Sequence, residues 1–542
     1  MSLASLMDRV QNHFKVEEAH AKTNQKFELL AAQVHENAPE QLYQPVLFFN
    51  ASTRLSGVSL NAGFSILSAH SLRLQGVPVV HLVCERGMSS CVLGTSRTEP
   101  PKAMPCRGCI HQSDALYAQS SQERFTFKAD AALDEHLAGM DVSRLQQVVW
   151  EGLPLGELVL PSARWILRRH NLIENLTTVR ILREYIRSAW SMAGHFKSLL
   201  KRLNPRAVVV FNGQQYPEAL LRYLARKAAI PCFSHEVGLR PMTAFFTEGE
   251  ATAYPLKIPA DFELDEAQNA RLDAYLEQRF KGNFKMAGVQ FWPQMSELPP
   301  EFVEKAAGFK QVVPVFTNVI FDTSQPHANV IFEDMFRWLD AVIATAKEQP
   351  DTLFVVRAHP DEARKGKASE ESVAAWAARK QIEQLPNIQF YPPEEHVSSY
   401  DLIRMAKLVL IYNSTIGLEA AIMGAPVLAA GKSRYSNANC VWLPGSPRAW
   451  QAELNNMLAA PQIDVPEAFA HNARRFLYYQ LWRSSLSFEK FLEPDGIWDG
   501  YVTLKDFAWQ ALLPENSSTL RTISQGILER GSFLLDEDSH EF

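Results

Sequence analysis

The feature that most constrains the fold lies in the second half of the chain. Five short apolar runs alternate there with segments of helical period: Val312–Thr317 (VVPVFT), Leu353–Ala358 (LFVVRA), Ile388–Tyr391 (IQFY), Leu408–Tyr412 (LVLIY) and Val427–Ala430. The clearest helical segment is VIFEDMFRWLDAVIATAKE at 330–348. Runs this apolar read as strands covered on both faces, and strand–helix alternation builds a parallel sheet. The stretch YNSTIGLEAAIMGAP at 412–426 shows the unit in miniature. Ser414 and Thr415 are good N-cap residues, Gly424 suits the left-handed position after a helix, and Pro426 stops it.

The first half carries a looser version of the same pattern. Val46–Asn50, Pro78–Cys84, Ala207–Asn212 and Ile230–Ser234 read as strands, with Gly57 in the polar loop between the first strand and the first helix. Residues 84–150 interrupt the alternation and hold four of the six cysteines, and 160–203 reads as long helices. Residues 250–310 are polar, without clear period, and read as a connection. Leu3, Leu6, Val10 and Phe14 would share one face of an N-terminal packing helix. The expected organisation is a helical segment over 1–44 and a Rossmann-like domain over 45–300, with the cysteine insertion 84–150 and basic helices 160–203. A second Rossmann-like domain follows over 305–465, then an aromatic-rich helical tail over 466–542. The expected fold class is α/β, two Rossmann-like domains facing a cleft in the GT-B arrangement.

A chain of 542 residues is too long for one core. With 46% hydrophobic and 21% charged residues it has the composition of a globular enzyme, and a net charge of −6 argues against a nucleic-acid binder. No run of about 18 apolar residues exists and the N-terminus lacks a signal-peptide core, so a cytoplasmic location is expected.

Ligands in doubly wound sheets bind beyond the carboxyl ends of strands, so the residues there are the candidates. In the second domain these are Asn318, with Asp322 in the following loop; Arg357 and His359; Asn413, Ser414 and Thr415; then Lys432 and Tyr435. Arg357 offers a planar fork of donors suited to phosphate, and His359 can donate to a phosphoryl oxygen or move a proton. The turn from Ser414 to Gly417 presents N–H groups at a helix start, and Lys432 adds a point charge. Glu419 can accept from ribose hydroxyls. Charge stabilisation of a leaving nucleoside phosphate needs such groups and no metal.

Cys84, Cys91, Cys106 and Cys109 are spaced C-x6-C-x14-C-x2-C. Four thiolates suit structural tetrahedral zinc, and an iron–sulfur cluster or unliganded thiols are the other readings. Ten Lys or Arg fall between Arg164 and Arg206. They fit either a surface for an anionic glycan, lipid phosphate or membrane face, or a solvated helix with internal ion pairs.

The motifs RAHPDE, YNSTIGLEAAIMGAPV and a downstream Tyr resemble bacterial capsule and surface-polysaccharide biosynthesis proteins. These are GT-B glycosyltransferases of the kind that includes the capsular Kdo transferases. FTNVIFDTSQ at 316–325, FNG at 211–213, HEVG at 235–238, PCRGC at 105–109 and the FLYYQLWRSSLSFEKFL tail are similar to recurrent segments of that family. Relatives often carry Lys where this chain has Arg357. The resemblance implies that His359 and the Ser414–Thr415 turn hold a donor phosphate and that Glu419 faces the nucleoside. Asn318 and Asp322 would then border the reacting sugar. It implies transfer from a nucleotide sugar to a lipid-linked or growing surface polysaccharide, with possible contact of the protein's periphery to the inner membrane. An inverting transferase needs a general base, for which Glu236 and Asp322 are both candidates. Gly57, Asn61 and Asn212 are expected on the acceptor side. An epimerase or hydrolase on the same scaffold, a teichoic-type phosphotransferase and a non-catalytic assembly factor are the rival readings.

Overall fold

The computed structural model describes residues 3–40, 43–53, 57–97, 100–281, 296–364 and 366–536, and of residues 3–13 the backbone alone. The chain builds two sheets. The strands of the first are β1 (Val46–Phe49), β2 (Val79–Cys84), β3 (Ser121–Phe125), β4 (Ala207–Phe211), β5 (Cys232–Val237) and β6 (Thr243–Glu248). The second holds β7 (Gln311–Phe316), β8 (Thr352–Arg357), β9 (Ile388–Tyr391), β10 (Val409–Ile411) and β11 (Val427–Ala429). Near the C-terminus, β12 (Leu486–Ser487) joins the first sheet, and β13 (Leu492–Pro494) with β14 (Val502–Leu504) makes a separate hairpin.

The spatial orders are β12-β6-β5-β4-β1-β2-β3 and β11-β10-β7-β8-β9. The parallel part of the first sheet and the whole of the second therefore repeat one order, in which the first strand sits centrally with the second and fourth on either side. Each sheet thus has a topological switch point, between β1 and β4 and between β7 and β10, where crossovers leave to opposite faces and open a crevice. Alternate residues of each strand feed opposite cores. Val46 and Phe48 lie in one core of the first sheet, and Leu47 and Phe49 in the other. Leu353 and Val355 face one core of the second sheet, and Phe354 and Val356 the other. This double coverage is why these strands read as unbroken apolar runs.

The structure adds strands that apolar runs do not reveal. Within 84–150, SQERF forms β3, an edge strand whose middle residues are only half-buried. The strand expected at Ile230–Ser234 starts later and runs on through His235, Glu236 and Val237, held by antiparallel pairing with β6. In the expected connection 250–310, helices span Glu266–Phe280 and Pro300–Ala307, the first started by a capping box between Asp265 and Gln268; residues 282–295 lie outside the described residues. The helix expected at 330–348 begins at Met335, because Asp334 caps it by accepting from the Arg337 N–H.

Both chain ends pack on the first sheet. Phe27, Leu30 and Val34 of the N-terminal helix Leu3–Asn37 share a core with Ile523 and Ile527 of the helix Ser518–Glu529. The face expected at Leu3, Leu6 and Val10 lies outside the described side chains, and Phe14 is 67% exposed. The helix Glu467–Tyr478 packs instead in a core of the second sheet, through Phe476, Leu477 and Tyr478. The chain therefore returns from the second sheet to the first at β12.

Candidate functional site

A cleft of about 1180 Å³ runs between the carboxyl edge of the second sheet and the β5–β6 side of the first. Asn318, Asp322, His359, Asn413, Ser414, Thr415, Glu419 and Lys432 line it from the second sheet's side. Arg357 opens instead on a small adjoining pocket that also touches His359, Ser414, Thr415 and Glu419.

The switch point is bridged by side chains. Asn318 at the end of β7 donates from Nδ2 to Asn413 Oδ1 at the end of β10, at 2.9 Å. Gln325 donates to the same oxygen at 3.2 Å. His359 caps a short 3-10 turn, its Nδ1 accepting from the Asp361 N–H at 3.2 Å, which makes the other ring nitrogen the donor. Burial holds the imidazole below its ordinary value; Asp361 and Asp322 oppose that and Arg357 adds to it. His359 is therefore a neutral N–H donor at neutral pH. Burial also brings the Arg357 guanidinium down to about 10, so it stays charged.

The helix after β10, Ile416–Ile422, is only two turns long, and no side chain caps it. The expected caps do other things: Ser414 gives its carbonyl to the buried Tyr435 hydroxyl, and the Thr415 side chain is exposed toward the cleft. Gly417 is required by crowding, because a Cβ there would lie 2.4 Å from Ile411 Cδ1 and 2.5 Å from the Tyr435 hydroxyl. Gly424 takes the expected left-handed conformation, at φ +80°.

Glu419 has partners within the protein. Arg279 donates to its Oε1 from Nη2 at 2.7 Å and from Nε at 2.9 Å, and the Tyr400 hydroxyl to its Oε2 at 2.5 Å. Burial would lower the Arg279 guanidinium, but Glu419 beside it holds it above its ordinary range. Arg279 and Tyr400 were not legible as site residues, since neither stands at a strand end. Arg364, five residues past His359 in the same loop, also lines the cleft, and its place after the RAHPDE motif was the one available signal.

The candidates of the first sheet form their own network. Asn61 donates to Glu236 Oε1 at 3.1 Å, the Val237 N–H does so at 2.9 Å, and Asn212 adds a further bond. Burial raises the Glu236 carboxyl above its ordinary value, Asp322 pushes the same way, and those hydrogen bonds oppose. Glu236 and Asp322 thus feel each other's charge, though only Asp322 lines the cleft itself. Gly57 lies apart, at φ +75° and packed beside His20 and Tyr501.

The cysteines do not make the metal site expected of them. Among the described residues no group of three or more His, Cys, Asp or Glu is arranged to hold a metal ion. Cys84 and Cys91 instead accept from the N–H groups of Gly87 and Gly94, each at 3.2 Å, which are local turn contacts. Burial pushes the Cys91 thiol up to about 11, with Cys106 and Cys109 adding to it, so it is protonated at neutral pH. The structural zinc or iron–sulfur reading is withdrawn.

Most of the basic residues of 164–206 have partners in the fold. Arg180 and Arg183 donate to the carbonyls of Ser96 and Met140, Arg187 pairs with Asp134 and Glu184, Arg202 with Glu123, and Arg206 donates to the Leu528 carbonyl. Among the described residues no helix is long and apolar enough to cross a membrane.

Two doubly wound α/β sheets on either side of a cleft define the GT-B class of fold. Residues 303–463 match the sequence model described as capsule polysaccharide biosynthesis protein. Protein FixF of Sinorhizobium fredii (strain NBRC 101917 / NGR234) is 29% identical over 104 residues, which are 19% of this chain and 22% of that protein. The match thus spans about a fifth of that curated relative. KpsC of Thermosulfurimonas dismutans, a beta Kdo 2,4 transferase, is similar over 55% of this chain and 84% of its own, at 12% identity and a TM-score of 0.33. The UDP-GlcNAc 2-epimerase of Neisseria meningitidis is similar over 54% of this chain and 80% of its own, at 14% identity and a TM-score of 0.27.

Proposed function

We propose that the chain is a glycosyltransferase that moves a sugar from a nucleotide-sugar donor to a bacterial capsule or surface polysaccharide acceptor. One observation carries this reading: His359, Asn413, Ser414, Thr415 and Lys432 line the crevice at the switch point of the second sheet, within the segment that matches the capsule polysaccharide biosynthesis model. Donors of this kind, set where negative charge develops on a leaving nucleoside phosphate, lower the barrier to its departure. His359 donates an N–H to a phosphoryl oxygen, and Lys432 and the nearby Arg357 supply positive charge. The buried Arg279–Glu419–Tyr400 cluster holds the wall behind them. Glu236 takes the acceptor's proton: burial makes it a stronger base than an ordinary carboxylate, and its neighbour Asp322 stands on the cleft wall.

The test is thermal unfolding against CMP, CDP, UDP, GDP and TDP, paired with transfer assays. A nucleotide at about 100 times its dissociation constant adds roughly 2.7 kcal/mol to the folded state. One nucleotide should raise the melting temperature, and His359→Ala should abolish both the shift and turnover while keeping the native far-UV spectrum. Full activity in His359→Ala and Arg357→Ala would overturn the assignment. Release of free sugar or an isomer with no acceptor requirement would replace transfer by hydrolysis or epimerisation.

A further inference from the structure

Of the basic residues between 164 and 206, Arg168 is the one that lines the cleft. It ends the helix Leu155–Leu167 in a left-handed conformation, at φ +57°. Its guanidinium carbon lies 4.4 Å from the centre of the Trp165 ring and 5.1 Å from that of Phe321. Trp165 comes from the same helix, whereas Phe321 comes from the loop after β7. The two rings hold the guanidinium in one orientation. Arg168 is 8% exposed, yet its Nη1 has no hydrogen-bond partner. A buried charged donor left without an acceptor costs folding free energy, which the native fold tolerates when a ligand supplies the acceptor.

The surroundings of that nitrogen are cationic. Arg364 and Lys367 line the same part of the cleft. Burial lowers the Lys367 ammonium, and the charges of Arg364 and Arg168 lower it further, against Asp361 and Asp322. Arg97 repels Arg168 in the same way. The contacts that fix Arg168 join the two halves of the molecule. Its carbonyl accepts from the Glu370 N–H at 3.0 Å, Arg97 pairs with Glu370 at 3.0 Å, and Glu371 accepts from the N–H groups of His170 and Asn171. Like charges are therefore gathered around an unfilled donor at a fixed junction.

We propose that Arg168, with Arg364 and Lys367, forms a second oxyanion subsite that binds the acidic group of the incoming acceptor. This rests on the transferase reading and names its acceptor class: a glycan carrying carboxylate or phosphodiester groups. The planar fork of Arg168 fits either oxyanion. The donor phosphates are assigned to the ends of β8 and β10, whereas Arg168 arrives from the first sheet's side, where the acceptor enters. Trp165 and Phe321, which line the cleft beside the charge, give a sugar ring an apolar surface to lie against.

The experiment is calorimetric titration of the full chain with trigalacturonate, glycerol phosphate and neutral galactotriose, alongside the nucleotide identified by thermal shift. The variants are Arg168→Asn, chosen because asparagine tolerates left-handed backbone, Arg168→Lys and Arg364→Gln. Trigalacturonate is expected to bind the wild type, to weaken at least tenfold in Arg168→Asn and Arg364→Gln, and to recover in part in Arg168→Lys. Galactotriose should not bind, nucleotide affinity should stay within twofold, and melting curves should show all three variants folded. Binding of glycerol phosphate in place of trigalacturonate, with the same Arg168 dependence, would support the subsite and make its ligand a phosphodiester. Binding of neither anion, equal binding by wild type and Arg168→Asn, or an equal loss of nucleotide affinity would overturn it. Anion binding without any nucleotide binding would leave the subsite standing and remove the donor assignment instead.

Discussion

At the scale of the residue, function here depends on charges held away from water. Glu236 is the instructive case, because burial and Asp322 raise its proton affinity while Asn61 and Asn212 restrain it. A base works only when deprotonated, so turnover should rise with pH through the Glu236 titration, above the ordinary carboxylate range. Removing the Asn61 bond in Asn61→Ala should move this acid limb to higher pH. Removing the neighbouring charge in Asp322→Asn should move it lower. A pH–rate profile of the three proteins checks both signs, and an unmoved limb would rule Glu236 out as the base. Glu362 shows the same physics without a role in the cleft. It is 2% exposed, accepts from the Val373 N–H, and burial pushes its carboxyl up to about 8. Because its folded value lies above its unfolded one, its contribution is present at low pH and is lost as pH rises from about 4.5 to about 8. At roughly 1.4 kcal/mol per unit, the loss reaches a few kcal/mol. Glu362→Gln should therefore melt higher than wild type at pH 8.5, with the gap closing toward pH 4.5.

At the scale of the element, the turn from β10 into the helix Ile416–Ile422 is positioned by Tyr435 rather than by a cap. The hydroxyl of Tyr435 holds the Ser414 carbonyl, and Gly417 makes room for that hydroxyl. Tyr435→Phe should cost about 1 kcal/mol, the net worth of one hydrogen bond, and should weaken nucleotide binding by freeing the turn. Gly417→Ala should cost about 1–3 kcal/mol through overpacking. Because the added methyl collides with the hydroxyl, the double variant should lose less than the sum of the two, read from denaturant unfolding. These elements also show what was legible. The strands of the second sheet and the Gly424 turn could be read from apolar runs and breakers. The edge strand β3 could not, since an edge strand lacks the continuous apolar signal of a doubly covered one.

At the scale of the whole molecule, the segment 484–536 completes the first sheet rather than the second. β12 pairs with β6 through Leu486 and Ala244, and the helix Ser518–Glu529 shares a core with the helix Leu60–Leu74. Deleting residues 484–536 should therefore strip hydrogen-exchange protection from β6 and from Leu60–Leu74 while leaving β7–β11 protected. Equal loss in both sheets would show that the two cores unfold as one. Glu250, two residues past β6, pairs with Arg222 and lies 2.5 Å from His327 Nε2 across the cleft.

The sequence by itself determined the two alternating α/β halves and the candidates at the strand ends of the second sheet. Doubly covered strands and helix stops write their signals into consecutive residues, and strand ends are where such sheets place ligands. Only the tertiary structure decided which of those groups are already engaged. It placed Glu419 between Arg279 and Tyr400, 140 and 19 residues distant, and gave Cys84 and Cys91 local backbone partners. It also separated Arg168 from the other basic residues of its helices. Burial and partner choice are properties of packing between distant segments, and no local pattern encodes them.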